Sequence, residues 1–127
     1  MATIVGADTS ENLSGTSGDD RMEGKGGDDW IQGGDGDDWI EGGEGNDRLS
    51  DDNGADTVFG GAGDDVLYWS GDQKTDLLSG GAGADRFVFG GVSYNWSSAS
   101  PIVDVISDFA GGSGDRIDLS SFYYDPG

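Results

Sequence analysis

The sequence predicts an all-β fold: a parallel β-roll, a solenoid of stacked nonapeptide repeats, with a C-terminal β cap. Three observations lead there. A period of nine residues holds without a slip from Gly6 to Tyr68. Each period carries one large apolar residue at the same place. The chain is also too poor in apolar residues for an ordinary core, with 24 Leu, Ile, Val and Phe among 127 residues and a net charge of -20. Such a balance usually leaves a chain disordered. With no cysteine for disulfides, a metal, a partner or self-association must supply the missing stability. The acids are 22 Asp against 4 Glu beside 26 Gly, and short carboxylates on flexible backbone suit a hard cation.

Units of nine begin at Gly6, Gly15, Gly24, Gly33, Gly42, Asp51 and Gly60. An eleven-residue unit, Trp69 to Ser79, follows with two extra residues in its turn, and Gly80 to Val88 restores the period. GGDGDDWIE (33–41), GGEGNDRLS (42–50), GGAGDDVLY (60–68) and GGAGADRFV (80–88) share glycine at places one, two and four, aspartate at place six and an apolar residue at place eight. Aspartate stands at place six in eight units, as Asp20, Asp29, Asp38, Asp47, Asp56, Asp65, Asp76 and Asp85.

Places seven to nine form a strand of three residues whose middle side chain points inward, because side chains alternate across a strand. The inward column is then Leu13, Met22, Ile31, Ile40, Leu49, Val58, Leu67, Leu78 and Phe87. Places one to six form the turn. There Gly34, Gly36, Gly43, Gly45, Gly61, Gly63, Gly81 and Gly83 permit positive φ and let carbonyl oxygens converge with no Cβ in the way. Two units complete one coil, so odd and even units line opposite edges and coils stack about 4.8 Å apart.

Calcium takes six to eight oxygens, more than one turn supplies, so each ion must lie between unit n and unit n+2. The expected metal ligands are the eight sixth-place aspartates with the turn carbonyls of those eight glycines, holding about four to six Ca²⁺ ions. The best seats come from the units at Gly24, Gly33, Gly42, Gly60 and Gly80. Three units depart from the pattern. The first has Glu11 at place six and Thr9 at place four, and reads as an end cap. The unit Asp51 to Phe59 lacks its first two glycines but keeps Gly54 and Asp56, which predicts a bent turn that can still take an ion. The unit Trp69 to Ser79, with Lys74 near its aspartate, is the weakest.

The repeat G-G-x-G-x-D-x-U-x resembles the RTX (hemolysin-type) calcium-binding nonapeptide. Beyond it, ADRFVF (84–89), DVISDF (104–109) and GDRIDLSSF (114–122) resemble the segment after the roll in serralysin-type metalloproteases and in the R-modules of mannuronan C-5-epimerases. This divides the chain into a calcium-binding roll at 1–89 and a capping segment at 90–127. The cap would cover unpaired backbone and the exposed apolar column, using Val103, Val105, Ile106, Phe109, Ile117, Leu119 and Phe122. A further calcium site at Asp104, Asp108 and Asp118 stays open beside that reading. The resemblance implies a module of a bacterial secreted protein that folds on calcium outside the cell, with a type I secretion apparatus as the export partner. Its alternative implication is a calcium-dependent module that binds an acidic polysaccharide.

Several classes are excluded or disfavoured. With no His and no Cys, neither the H-E-x-x-H zinc motif nor any His-based triad can form, and no catalytic site is expected. Six basic residues scattered singly in a chain of charge -20 make nucleic acid and anionic lipid poor partners. No apolar run approaches the roughly 20 residues of a membrane span, and the start Met-Ala-Thr-Ile-Val lacks the charged n-region of a cleaved signal peptide. Trp30 and Trp39 at place seven, with Phe59 and Tyr68 at place nine, face outward on opposite sheets, either stacking on sugar rings or merely covering the sheets.

Overall fold

A computed structural model describes residues 2–70, 76–90, 105–106, 114 and 116–118. They contain twelve strands and no helix, so no helix among them is long and apolar enough to cross a membrane. The strands are β1 (Ala2–Val5), β2 (Asn12–Ser14), β3 (Asp20–Lys25), β4 (Trp30–Gln32), β5 (Trp39–Glu44) and β6 (Arg48–Ser50), followed by β7 (Thr57–Ala62), β8 (Val66–Ser70), β9 (Leu77–Ala82), β10 (Arg86–Gly90), β11 (Val105–Ile106) and β12 (Arg116–Asp118). Odd strands form one six-stranded sheet and even strands the other, each in sequence order. All pairs are parallel.

The register follows the repeat. Met22 pairs with Ile40 and Ile31 with Leu49, each 18 residues on. Across the eleven-residue unit Val58 pairs with Leu78 instead, so the two extra residues leave the ladder undisturbed. The sheets differ in one respect that the repeat does not predict. Strands β3, β5, β7 and β9 run six residues, into place two of the next unit in β3 and place three in the others, whereas β2, β4 and β6 hold the expected three. The longer pairing is carried by contacts such as Gly43 with Gly61 and Glu44 with Ala62.

The core is a single file of side chains between the sheets. Met22, Ile31, Ile40, Leu49, Val58, Leu67, Leu78 and Phe87 are all buried, with Ile4 and Leu13 partly buried against them. Burying each is worth roughly 1.5–3 kcal/mol. Ile4 extends the column one rung before the first complete unit, through pairing of β1 with β3.

The turn at Asp51 is not bent. Asp52 adopts the left-handed φ of 61° that glycine adopts at place two elsewhere, and Asn53 donates to the Gly34 carbonyl at 3.0 Å, keeping the turn in register. In the C-terminal third, β11 stacks on β9 and β12 on β10, so each sheet gains a rung. Asp118 falls opposite Val88, at place nine. Lys74, Asp104, Asp108, Ile102, Val103, Phe109, Leu119 and Phe122 lie outside the described residues.

Candidate metal centre

Each turn brings its sixth-place aspartate back under the strand that follows it, beside the apolar column. All eight of these aspartates are buried, at 1–3% exposure. One oxygen of each has a structural task, to accept the backbone N–H of the residue at place six one coil earlier. Asp38 Oδ1 takes the Asp20 N–H at 2.7 Å, Asp47 that of Asp29 at 2.8 Å, Asp56 that of Asp38 at 2.7 Å and Asp65 that of Asp47 at 2.9 Å. Asp76 and Asp85 do the same for Asp56 and Asp65, and Asp20 and Asp29 for Ala2 and Glu11.

The other oxygen decides what the site is. Oδ2 of Asp29, Asp38, Asp47 and Asp65 is fully buried and accepts no hydrogen bond. An ionised carboxylate in that position is severely penalised unless a cation joins it. Burial accordingly pushes these groups above the ordinary 3.8: Asp29 is raised, Asp38 and Asp47 to about 6, and Asp65 to about 8, with neighbouring carboxylates adding to the rise.

Beside each of these oxygens, at the place-one glycine, stands a carbonyl oxygen of the stacked turn. A Cβ built on Gly42 would stand 2.5 Å from Asp47 Oδ2 and 2.6 Å from the Gly60 carbonyl oxygen one coil on. The same holds at Gly24, with Asp29 Oδ2 and the Gly42 carbonyl both at 2.5 Å. Place one is therefore glycine because carboxylate and carbonyl oxygens from two stacked turns converge beside it. Carboxylate and carbonyl oxygens without nitrogen or sulfur form a donor set for a hard divalent cation such as calcium. The residues fit the ion that the repeat implies.

The glycines at places two and four have a related but separate task. Gly34, Gly36, Gly43, Gly45, Gly61, Gly63, Gly81 and Gly83 all have positive φ. A Cβ at any of them would strike the backbone of the preceding coil, as at Gly43 against the Lys25 carbonyl. They let the turns stack closely enough to share oxygens.

Three features escape the sequence pattern. First, Asp51, Asp56 and Asp76 are all buried and place their carboxylate oxygens within 4.8 Å of one another. Asp51 occupies place one, where a side chain starts out toward the sixth-place carboxylate, so an apparent defect in the repeat adds a carboxylate to that seat. Second, place five carries its own ladder, running the opposite way. Asp19 Oδ1 accepts the Asp37 N–H and Asp37 Oδ1 that of Ala55, while on the other edge Asp28, Asn46 and Asp64 receive the N–H groups of Asn46, Asp64 and Ala84. These residues are exposed, and Asn46 serves as well as an aspartate. The recurrence of Asp or Asn at place five is the signal that could have shown it.

Third, the first turn on each edge is closed by the chain itself. Thr16 donates its amide and its hydroxyl to Asp20, the hydroxyl lying 2.9 Å from Oδ2. Asp20 is correspondingly lowered below the usual carboxylate range, chiefly by the Thr16 N–H. In the unit before it Glu11 accepts the Ala7 N–H at 3.1 Å and the Thr9 hydroxyl at 3.1 Å.

Outside the turns, Trp39 packs against Phe59 with ring centroids 5.6 Å apart and lies under the Arg21 guanidinium, 4.4 Å away, so on that sheet the aromatics cover one another. Trp30, on the opposite sheet, is 43% exposed, with Arg48 5.6 Å from its ring.

The family described as RTX calcium-binding nonapeptide repeat (4 copies) matches residues 14–49, 41–68 and 70–92, more than half of the chain. No curated protein matches it.

Proposed function

The chain belongs to the RTX calcium-binding nonapeptide repeat family, and on that premise we propose that it is a folding module switched by calcium in a bacterial protein exported by a type I apparatus. In the low-calcium cytosol the aspartate ladders oppose compaction. Outside the cell, near-millimolar calcium joins them and the roll forms. The observation that carries the reading is the row of buried Oδ2 atoms on Asp29, Asp38, Asp47 and Asp65, which no group among the described residues satisfies. These residues, with Asp56, Asp76 and Asp85 and the carbonyls of the stacked turns, would hold about four to six ions. The roll spans residues 1–89, with 90–127 as its cap, and no catalytic role is assigned to either part.

The test is far-UV circular dichroism of the whole chain. In EDTA at neutral pH the spectrum should be that of a disordered chain, and millimolar Ca²⁺ should produce β signal. Mg²⁺ should fail to do so, because it demands shorter bonds in near-ideal octahedral geometry. A full β spectrum in excess EDTA would sink the reading.

A second reading, binding of an acidic polysaccharide, is favoured by the outer face of the even-numbered sheet. From β2 to β10 its outward places hold Asn12, Trp30, Arg48, Val66 and Arg86 in one row and Ser14, Gln32, Ser50, Tyr68 and Val88 in the other, with no acid among them. The other sheet carries Glu23 and Glu41 on its outer face. Arginine and an exposed indole suit carboxylated sugar rings. Titrating the calcium-loaded protein and its Trp30→Phe variant with acidic oligosaccharides, with the difference in tryptophan fluorescence as the signal, decides it. A flat titration removes this reading and leaves the first intact.

A further inference from the structure

The eight sixth-place aspartates look equivalent in sequence, yet their second oxygens do not have equivalent surroundings. That oxygen lies beside the place-one glycine and a stacked carbonyl at Asp20, by Gly15, as it does at Asp29 and Asp38, by Gly24 and Gly33, but at Asp29 and Asp38 no described group donates to it. One coil earlier on each edge the same location is filled by donors from the chain. At Asp20, Thr16 stands at place two, where Gly34 stands one coil on, and contributes both N–H and hydroxyl. At Glu11, one methylene longer than aspartate, the carboxylate reaches the Ala7 N–H at both oxygens and the Thr9 hydroxyl at one. With the ladder N–H of Ala2, the Thr16 amide and hydroxyl bring three donors to the Asp20 carboxylate, which satisfies both of its oxygens without a cation and makes any cation compete with donors already in place.

We propose that the first turn on each edge of the roll is a metal-free cap, closed by Thr16 on Asp20 and by Ala7 and Thr9 on Glu11, and that calcium seats begin only at Asp38 and Asp29. This rests on the calcium reading above and refines it, removing Asp20 from the ligand set that the repeat implies. Physically, a stacked array needs an end whose polar groups are satisfied without a neighbour below. In the folded roll, amide and hydroxyl donors close that end without an ion of its own. The first coil is then a template on which the calcium-dependent coils are laid, and Asp38 and Asp29 are the first carboxylates whose second oxygen is left for the ion.

Native mass spectrometry of the folded population counts the ions, so that an unfolded fraction of any variant drops out. Compared are the parent chain, Asp20→Asn and Asp38→Asn in saturating calcium. Asparagine keeps an acceptor oxygen for the ladder N–H in both. The expected result is an unchanged ion count for Asp20→Asn and one ion fewer for Asp38→Asn. A lost ion in Asp20→Asn overturns the proposal, whatever Asp38→Asn does. A parent chain that holds no calcium overturns the calcium reading instead. Thr16→Val supplies an independent readout: at saturating calcium the urea midpoint should fall with the ion count unchanged. Loss of an ion in Thr16→Val would refute the proposal.

Discussion

Asp64 and Asp65 are neighbours in one turn, carry the same charge and each accept one backbone N–H one coil away, yet they should respond very differently to substitution by asparagine. Asp64 is exposed, and its Oδ1 takes the Ala84 N–H at 2.9 Å. Asn46 already fills the same role for Asp64 one coil earlier, at 2.9 Å. Asp64→Asn should therefore change stability by less than about 0.5 kcal/mol, the usual range for surface substitutions. Asp65 is 1% exposed, with Oδ1 on the Asp47 N–H at 2.9 Å and a buried second oxygen with no hydrogen-bond partner among the described residues. Asparagine preserves the first bond and abolishes the charge at the second oxygen. The loss of one charged interaction is about 1.5–3 kcal/mol. Urea unfolding at saturating calcium reads this difference directly. In a calcium titration the same loss is spread over all ions bound in the folding step. With about five ions, 3 kcal/mol becomes roughly 0.6 kcal/mol per ion and a two- to threefold rise in the midpoint. Equal urea midpoints for the two variants, or a more stable Asp65→Asn in saturating calcium, would refute the assignment of Oδ2 to the ion.

Three other outcomes follow from the geometry. In EDTA, acid should partly replace calcium: Asp38, Asp47 and Asp65 are raised to about 6, 6 and 8 in the folded roll from an ordinary 3.8, so the metal-free fold binds more protons than the unfolded chain. Its stability is then greatest below about pH 4 and is lost as pH rises to about 8, against the smaller opposite pull of Asp20, which is lowered. A β signal in EDTA that grows with rising pH over that window contradicts this. Gly42→Ala should abolish calcium-induced folding or raise its midpoint severalfold, because its Cβ would meet Asp47 Oδ2 at 2.5 Å, whereas at Gly18 the nearest atom is the Thr16 hydroxyl oxygen at 3.9 Å. Similar calcium titrations for Gly42→Ala and Gly18→Ala would show that the seat at place one is not needed. Deleting residues 91–127 removes β11 and β12, the last rung of each sheet, and should prevent calcium-induced folding although all the sixth-place aspartates remain. Cooperative folding of 1–90 at an unchanged calcium midpoint would reduce the C-terminal third to something other than a cap.

Much of this architecture is legible in the sequence because it is periodic along the chain. The inward column from Met22 to Phe87, the parallel pairing 18 residues apart, the opposite placement of Trp30 and Trp39 and the burial of the sixth-place aspartates all depend on position within one unit, and one unit is nine consecutive residues. What only the tertiary structure decided concerns pairs of residues that meet after coils have stacked. The ladder from Asp64 to Ala84, the gathering of Asp51 with Asp56 and Asp76, and the alignment of Trp30, Arg48 and Arg86 on one face join residues from different coils. Even the short-range closure of Asp20 by Thr16 is invisible in the pattern, because a repeat registers which residue stands at each place but not which donors satisfy its side chain. A carboxylate's role is set by whether both oxygens find hydrogen from the protein, and that depends on packing rather than on period.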